Sequence, residues 1–374
     1  MIPGPTNISE RVREAMSRPQ QGHGSPEFTE KFGEMLRLAR FAFKNNNGSQ
    51  FVFTGSGTLA MEASVVSTVQ PGDRVLVLDT GYFGQRMVSI NEAHGAQVSV
   101  LQYPIGTHAS PDDLRGKLHE DKFRAVFITH VDTGTAVVNP IKELVAECKS
   151  AGAFAIVDSV CGLAGEELDF DRLGADIVFT ASQKAIAAPP GAVLIAVSNE
   201  LLGYFQKRAK PIEGWYLNLL RWKPIMDDPK MYLATPAVQI MLALREALLE
   251  LKEEGVEERW ERHRVLAEKI REGLQRLEVQ FVAEEGYRAN TLTGFLVKEG
   301  KAQEVQKELR DAHKIEVARG LGDYSGRMIR IGHMGILRAE QADRTVKAVS
   351  ETLVKFGLAT PVPAPGGHPK NLGT

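Results

Sequence analysis

The chain has 374 residues, more than a single hydrophobic core usually supports, so about two domains are expected. Its 45 basic and 47 acidic residues nearly cancel, which excludes the strong charge field of a protein that binds nucleic acid or an anionic membrane. A hydrophobic content of 43% and a charged content of 25% favour an ordinary globular protein over a disordered or fibrous one.

The cysteines and the N-terminal residues indicate the compartment. Cys148 and Cys161 are too few for a disulfide framework and lack metal-ligand spacing, so no metal is expected and a reducing environment is favoured. The first residues contain no apolar segment typical of a secretion signal, and no hydrophobic run approaches the length of a membrane span. We therefore expect a cytoplasmic protein that binds no nucleic acid and no membrane.

In chain order, residues 1–20 are predicted to be an ordered arm without a helix or strand, and a helix is predicted over 27–43. Apolar runs of strand length then alternate with helix-like segments. The predicted strands are 51–53, 75–78, 98–101, 125–128, 155–157, 177–179 and 193–197, and the helices between them are 59–69, 85–93 and 141–151. This alternation predicts an α/β domain over residues 21–254, with a mostly parallel, seven-stranded sheet between layers of helices.

The pattern changes after Pro236. A long helical stretch over 238–254 breaks at Gly255 and resumes over 257–277. Short predicted strands then mix with helices. The strands are 279–282, 294–297, 315–318 and 328–331, and the helices are 302–313 and 339–356. We predict a smaller α+β domain over residues 255–358, followed by a flexible tail rich in proline and glycine over 359–374.

The chemistry of the chain is predicted to centre on Lys184. The stretch Ala175–Gly191 begins as an apolar strand, turns polar, reaches Lys184 and then continues as Ala-Ile-Ala-Ala-Pro-Pro-Gly. An amine among apolar neighbours loses hydration, which favours its neutral, nucleophilic form. By itself, a lone lysine is more often an ordinary solvated side chain.

A turn rich in small residues follows the first predicted strand. Thr54-Gly55-Ser56-Gly57-Thr58 leads from that strand into a helix, so backbone N–H groups and the helix dipole are able to meet an anion such as a phosphate. An ordinary helix start, with Ser56 or Thr58 as the N-cap, is an equally good interpretation of these residues alone.

The same turn permits a dinucleotide-binding alternative. Gly55-Ser56-Gly57 with Ala60 reads G-x-G-x-x-A, and Asp79 ends the next predicted strand about 20 residues further on, where a carboxylate meets a ribose. An NAD-dependent oxidoreductase is therefore the alternative hypothesis, although nothing downstream supplies a hydride-transfer site.

Asp158 ends another predicted strand, and no basic residue is adjacent to it in the sequence. A buried carboxylate needs a partner, and a protonated heteroaromatic nitrogen is a suitable one, while a cap for the following turn is the simpler alternative. An anion-binding turn, a carboxylate and a desolvated lysine at one sheet edge match the needs of pyridoxal 5′-phosphate. The turn is suited to bind its phosphate, Lys184 to form a Schiff base with its aldehyde, and Asp158 to pair with its ring nitrogen.

These residues resemble those of the class V aminotransferases of fold type I, most closely the alanine–glyoxylate, serine–pyruvate and serine–glyoxylate branch. The resemblance extends from PGPTN near the start to RIG at Arg330, and SQKAIAAPPG around Lys184 is its most specific part. It implies that Lys184 forms the Schiff base with the cofactor and then acts as general acid and base. Asp158 is implied as the partner of the pyridine nitrogen.

The resemblance also implies further site residues. Phosphate contacts are implied for Ser56, Gly57, Thr58 and Gln183, and a stacking or hydroxyl contact with the cofactor ring for Phe83 and Thr133. Tyr232 and Thr235 resemble a pair that reaches the phosphate of the neighbouring subunit, so a homodimer is implied. Arg330 resembles the arginine that grips the substrate carboxylate, and Asn7 lies in the arm expected near the substrate.

Two departures from the family pattern narrow the prediction. Gly24 replaces an arginine of the family, which argues against a phosphorylated substrate, and Asp132 replaces a glutamate, so no role is transferred to it. Neither cysteine fits the reactive position of the related cysteine desulfurases. The resemblance therefore implies a ping-pong aminotransferase that moves the amino group of alanine or serine to glyoxylate or pyruvate.

Overall fold

A computed structural model describes residues 1–208 and 210–359, and it confirms the predicted α/β architecture. The strands are β1 Ser49–Gly55, β2 Arg74–Asp79, β3 Gln97–Gln102, β4 Ala125–Thr129, β5 Val131–Asp132, β6 Val137–Val138, β7 Phe154–Asp158, β8 Ile177–Ala181, β9 Gly191–Val197, β10 Leu292–Leu296, β11 Ala318–Arg319 and β12 Met328–Gly332. The predicted tail lies outside the described residues, apart from Ala359.

Helices cover both faces of the main sheet and one face of the smaller one. They are α1 Glu10–Ser17, α2 Pro26–Phe43, α3 Gly57–Thr68, α4 Tyr82–Ala93, α5 Pro111–Glu120, α6 Ile141–Ser150, α7 Phe170–Leu173, α8 Asn199–Lys207, α9 Leu219–Asp227, α10 Val238–Glu254, α11 Val256–Gln275, α12 Ala302–Asp311 and α13 Ala339–Lys355. Among the described residues, no helix is both long enough and apolar enough to cross a membrane.

The main sheet has seven strands in the order β1-β9-β8-β7-β4-β2-β3. Its central and far strands run parallel, whereas β9 lies antiparallel between β1 and β8. Because β9 is antiparallel to both β1 and β8, these two strands run in the same direction. The strands β1, β2, β4, β7 and β8 therefore all end at one edge of the sheet, where open α/β sheets bind ligands.

Side-chain alternation explains why this sheet is covered on both faces. In β4, Val126 and Ile128 join one hydrophobic cluster, with residues of α2, α6 and α10. Ala125 and Phe127 join the other cluster, with residues of α3 and α8. All five residues of the strand are buried, as expected of a strand between two helical layers.

The C-terminal part forms its own three-stranded antiparallel sheet, in the order β10-β12-β11. A third hydrophobic cluster links this sheet to α11, α12 and α13. The predicted strand over 279–282 is wrong, since only an isolated bridge joins Phe281 to Phe295. The predicted strand over 315–318 is shifted toward the C-terminus, because Ala318 and Arg319 are the residues that pair with β12.

The N-terminal arm differs from the prediction because it contains helix α1. The Ser9 hydroxyl accepts a hydrogen bond from Val12 N at 3.2 Å, and Val12 and Ala15 are buried. The helix packs against α10, where Arg11 forms ion pairs with Glu246 and Glu253. Tertiary packing, rather than local sequence preference, thus stabilises a helix of only eight residues.

Candidate active site

Lys184 lies in the loop that leaves β8 at the ligand-binding edge of the sheet, and only 9% of the residue is exposed. The loop is held by the Ser182 hydroxyl, which donates to Pro189 O at 2.5 Å and accepts from Ala192 N at 3.3 Å. The apolar residues 185–189 after Lys184 are buried, as predicted from its neighbours, whereas Pro190 is exposed. Lys184 is therefore a desolvated amine rather than a solvated surface lysine.

The N-terminal arm lies directly over this lysine. The Lys184 Nζ donates a hydrogen bond to the carbonyl oxygen of Pro3. Gly4 has a φ of +92°, and a Cβ at this position would lie 2.7 Å from Cδ of Lys184. Thr6 fixes the arm by donating from N to Gln183 O and from Oγ1 to Lys184 O, both at 3.0 Å. The arm thus forms one wall of the site, and only glycine fits at position 4.

Asp158 is the last residue of β7. This strand lies next to β8, and the loop that follows β8 contains Lys184. Asp158 is 5% exposed, and its Oδ1 accepts a hydrogen bond from Val160 N at 2.9 Å. Burial raises the pKa of Asp158 to about 7, with a further increase from Asp132 and opposing effects of Lys184 and Arg86. One oxygen therefore caps the turn, while the carboxyl group is placed to gain a cationic partner.

The small-residue turn meets the same edge. Ser56 occupies the N-cap position of α3, but its side chain makes no capping hydrogen bond, so its hydroxyl is available to a ligand. A Cβ on Gly57 would lie 3.2 Å from Cγ2 of Val160, which shows how closely this turn approaches the segment after Asp158. The Thr58 hydroxyl accepts a hydrogen bond from Nη1 of Arg86 at 3.1 Å.

Phe83 and Thr133 lie on two loops that Asp132 joins. The Asp132 carboxylate is buried and accepts hydrogen bonds from Phe83 N at 2.9 Å and from Gly134 N at 2.6 Å. A Cβ on Gly81 would lie 2.7 Å from Cγ of Asp132, so the two loops meet at van der Waals distance. The sequence assigned no role to Asp132. In the structure, its carboxylate holds the loop of Phe83 beside the loop of Thr133.

Arg330 enters the site from the central strand of the small sheet. Its Nη1 donates to Thr133 O at 2.6 Å and its Nε to Arg319 O at 2.7 Å. No acidic side chain within the described ranges forms an ion pair with it. Burial lowers the pKa of Arg330, but an arginine stays protonated at neutral pH, so the cleft contains a fixed positive charge.

Lys184, Thr133 and Arg330 share one open cleft of about 600 Å³. Its lining includes residues of the arm, the main sheet and the small sheet: Pro3, Gly4, Phe83, Arg86, Thr133, Lys184, Arg319 and Arg330. A buried amine and a guanidinium in one cleft are suited to an amino acid, because the amine reacts with carbonyl groups and the guanidinium binds a carboxylate.

Comparison with known proteins agrees with this geometry. Residues 6–339 match the family model of class V aminotransferases. The chain is 35% identical over 356 residues to alanine–glyoxylate aminotransferase 1 of Saccharomyces cerevisiae, which covers 90% of this chain and 91% of that protein. It is 34% identical over 360 residues to an uncharacterised aminotransferase of Methanocaldococcus jannaschii, and the alignment covers 96% of this chain and 93% of that protein. The chain belongs to the class V aminotransferases.

The folds agree as well. The crystal structure of an alanine–glyoxylate aminotransferase from Nostoc sp. superposes with a TM-score of 0.90 at 31% identity, over 94% of each chain. The ureidoglycine–glyoxylate aminotransferase of Bacillus subtilis gives a TM-score of 0.91 at 27% identity, over 96% of this chain and 93% of that one. The predicted fold type I architecture and aminotransferase activity are thus confirmed, and this family uses pyridoxal phosphate.

The residues of this class V aminotransferase fit that cofactor. Within the described residues, Gln183 Oε1 is buried without a hydrogen-bond partner, so it is available to accept a hydrogen bond from a ligand donor. The Ser56 hydroxyl makes no capping hydrogen bond, and the buried Asp158 carboxyl is suited to a cationic partner. The dinucleotide alternative is not supported, because Asp79 is 5% exposed and turns back to accept a hydrogen bond from Gly81 N at 3.0 Å.

Eight predicted residues do not line this cleft: Asn7, Ser56, Gly57, Thr58, Asp158, Gln183, Tyr232 and Thr235. Tyr232 is 62% exposed, and its hydroxyl lies 3.0 Å from that of Thr235, beside a different cavity. Asn7 lines a neighbouring cavity of about 370 Å³ between the arm and the small domain. A role for Tyr232 and Thr235 in a neighbouring subunit, and for Asn7 at the substrate, stays a prediction.

Sequence reasoning missed Arg86 and the direct contact of Pro3 with Lys184. Arg86 follows Phe83 by one helical turn on α4, so a helical spacing from the predicted stacking residue was the available signal. The Pro3 contact joins residues 181 positions apart and has no local sequence signal.

The buried Asp158 leads to a pH prediction for the cofactor-free protein. Between about pH 4 and 7 the folded state keeps a proton on Asp158 that the unfolded aspartate releases, so the contribution of Asp158 to the free energy of unfolding falls as the pH rises. The buried Glu166, whose pKa burial also raises to about 7, contributes a fall of the same sign. His130, His263 and His333, whose pKa burial lowers to about 3, contribute a rise over the same range, so the prediction concerns the difference between proteins. In denaturant titrations, the change in the free energy of unfolding from pH 5 to pH 7.5 is expected to be more positive in Asp158→Asn than in the wild type. The exposed control Asp112→Asn should change as the wild type does, and equal changes in all three proteins would contradict the assignment.

Proposed function

We propose that this aminotransferase moves the amino group of a small L-amino acid, alanine or serine, to glyoxylate or pyruvate by a ping-pong mechanism. The observation that carries the proposal is the convergence of Lys184 and Arg330 on one cleft beside Asp158. Relatives named alanine–glyoxylate aminotransferase, at 35% and 31% identity, support the choice of substrates.

The cofactor would be held by the groups at the carboxyl edge of the sheet. Ser56, Gly57 and Thr58 would bind its phosphate with Gln183, and Asp158 would pair with its protonated ring nitrogen. Phe83 would stack on the ring, and Thr133 would approach the ring oxygen. When bound, pyridoxal phosphate supplies an aldehyde for the amino group and an electron sink for the bond-breaking step.

The chain's own residues would bind the substrate and move its proton. The Arg330 guanidinium would bind the α-carboxylate, which places Cα of the amino acid toward Lys184. Lys184 Nζ would take the proton from Cα as a general base. It would then give the proton to C4′ of the cofactor as a general acid. The carbonyl oxygen of Pro3 accepts a hydrogen bond from this amine and orients it. The arm also limits the access of water above it.

The choice of a small substrate is supported by the names of the relatives and not by the volume of the open cleft. Pro3 and Gly4 lie against Lys184, and Phe83 lines the same cleft. The replacement of a family arginine by Gly24 argues against a phosphorylated donor.

We also propose a cytoplasmic homodimer in which Tyr232 and Thr235 complete the phosphate site of the partner. Trp215, Met231 and Tyr232 are each more than half exposed, which is unusual for large apolar side chains and favours a covered surface in the assembly.

Single-turnover measurements test the proposed substrates. Protein loaded with pyridoxal phosphate is mixed with one amino donor and no acceptor. L-Alanine and L-serine are expected to bleach the visible absorption and to release one equivalent of the keto acid. Glyoxylate or pyruvate should then restore the absorption. Phosphoserine and aspartate are the matched donors expected to react much more slowly. Bleaching by aspartate alone would contradict the substrates, and a coloured protein that transfers no amino group would contradict the activity.

A further inference from the structure

We propose that Arg86 is a further cofactor-binding residue, whose guanidinium supplies the positive charge opposite the cofactor phosphate. This inference rests on the proposed use of pyridoxal phosphate in this cleft. The phosphate contacts assigned to Ser56, Gly57, Thr58, Gln183, Tyr232 and Thr235 are all neutral groups, yet the phosphate carries about −1.5 to −2 charge at pH 7. The helix dipole of α3 offsets only about half an elementary charge.

Arg86 is the cation that the fold brings to this turn. Its Nη1 donates a hydrogen bond to the Thr58 hydroxyl at 3.1 Å, and it lines the same cleft as Lys184. Its guanidinium carbon lies 4.8 Å from the centre of the Phe83 ring and 5.1 Å from that of Tyr82. The two aromatic side chains hold the guanidinium in place beside the turn.

The charge of this guanidinium is not neutralised within the protomer. No carboxylate in the two described ranges lies within ion-pair distance of Arg86, whereas other arginines, such as Arg74, Arg115 and Arg245, have such a partner. Its hydrogen bond also orients Thr58. Because Arg86 donates to Oγ1, the hydroxyl hydrogen is directed away from it and remains free to donate to an anion.

The placement links two parts of the cofactor site. Arg86 contacts the predicted phosphate turn through Thr58 and the predicted ring-stacking residue through Phe83. A planar guanidinium is able to donate hydrogen bonds at its edge while its face stacks on an aromatic ring. An ammonium group has no such planar face. We therefore expect Arg86→Lys to restore only part of the affinity that Arg86→Gln loses.

The test measures the dissociation constants of pyridoxal phosphate and of pyridoxal, which lacks the phosphate. Fluorescence titration is carried out on wild type, Arg86→Gln, Arg86→Lys and the control Arg124→Gln. Arg124 also lies over an aromatic ring, that of Tyr204 at 5.2 Å, but away from the cleft. Arg86→Gln is expected to weaken pyridoxal phosphate binding about 10- to 100-fold and to leave pyridoxal binding within about threefold. The control should match the wild type for both compounds.

The other possible outcomes of this titration contradict either the role of Arg86 or the proposed function. Equal losses for both compounds mean that Arg86 only positions Phe83, and no loss for either means that it does not meet the phosphate. Both results overturn the inference while leaving the aminotransferase in place. A wild-type protein that binds neither compound overturns the proposed function itself.

A second measurement needs no variant and covers the case in which Arg86→Gln does not fold. Phenylglyoxal modification of wild-type Arg86 is followed by peptide mass spectrometry. Pyridoxal phosphate and inorganic phosphate are expected to slow the modification several-fold, whereas pyridoxal should not. Equal protection by pyridoxal and pyridoxal phosphate, or no protection by phosphate, overturns the inference.

Discussion

Lys184→Ala is expected to lower kcat by about 10⁴-fold, the upper end of the range for a residue that transfers a proton in the rate-determining step. The effect is large because no other amine lines the part of the cleft that the structure describes. Steady-state transamination of alanine with glyoxylate measures the loss. Borohydride reduction of the loaded wild type, followed by peptide mass spectrometry, should place the cofactor on Lys184.

Two controls make this result specific. Lys347→Ala removes an exposed lysine on α13 and should match the wild type. A small amine such as methylamine, added to Lys184→Ala, should recover part of the rate, because it supplies the missing base without the tether. A Lys184→Ala protein with unchanged absorption and activity, or reduction that labels a different lysine, would rule out the assigned role.

Arg330→Gln is expected to lower kcat/KM for alanine by about 10²- to 10³-fold. Removing one partner of a buried charge pair typically costs about 3–4 kcal/mol, and each 1.4 kcal/mol is about tenfold. Arg330→Lys should recover only part of the loss, because an ammonium cannot bind a carboxylate in the bidentate manner of a guanidinium.

An amine without a carboxylate separates substrate binding from damage to the fold. With ethylamine as donor, the slow single-turnover rate should be the same in Arg330→Gln and in the wild type, since there is no carboxylate to bind. Arg310→Gln, which removes an exposed arginine paired with Asp311, serves as the matched control. If ethylamine and alanine lose rate equally in Arg330→Gln, the residue supports the structure and does not bind the carboxylate.

The parts of this protein that were predictable from sequence depend on local pattern. The burial of Lys184 was predictable from its apolar neighbours and that of Asp158 from its position at the end of a buried strand, while their roles in the site stay predictions. The α/β architecture follows from apolar runs at regular spacing, and the covered sheet confirms it. These features depend on residues that are close together in the chain, so a single sequence contains the signal.

The missed parts depend on distant residues. Helix α1 has few apolar residues of its own and is stabilised by α10, more than 200 residues away. The pair of β5 and β6 spans only two residues each, and its register is set by Asp132. Arg86 resembles any exposed arginine until its contact with Thr58 is known. In each case the deciding interaction is tertiary, which local propensity does not encode.

The composition of the cleft has a consequence for folding kinetics. The hydrogen bond from Lys184 to Pro3 closes a separation of 181 residues, and the one from Arg330 to Thr133 closes 197. Contacts of such long range carry the largest loop-closure entropy and form late, after local helices and neighbouring strands. Affinity for the cofactor therefore reports the completed assembly of arm, sheet and C-terminal domain, whereas the helical signal in circular dichroism reports earlier steps.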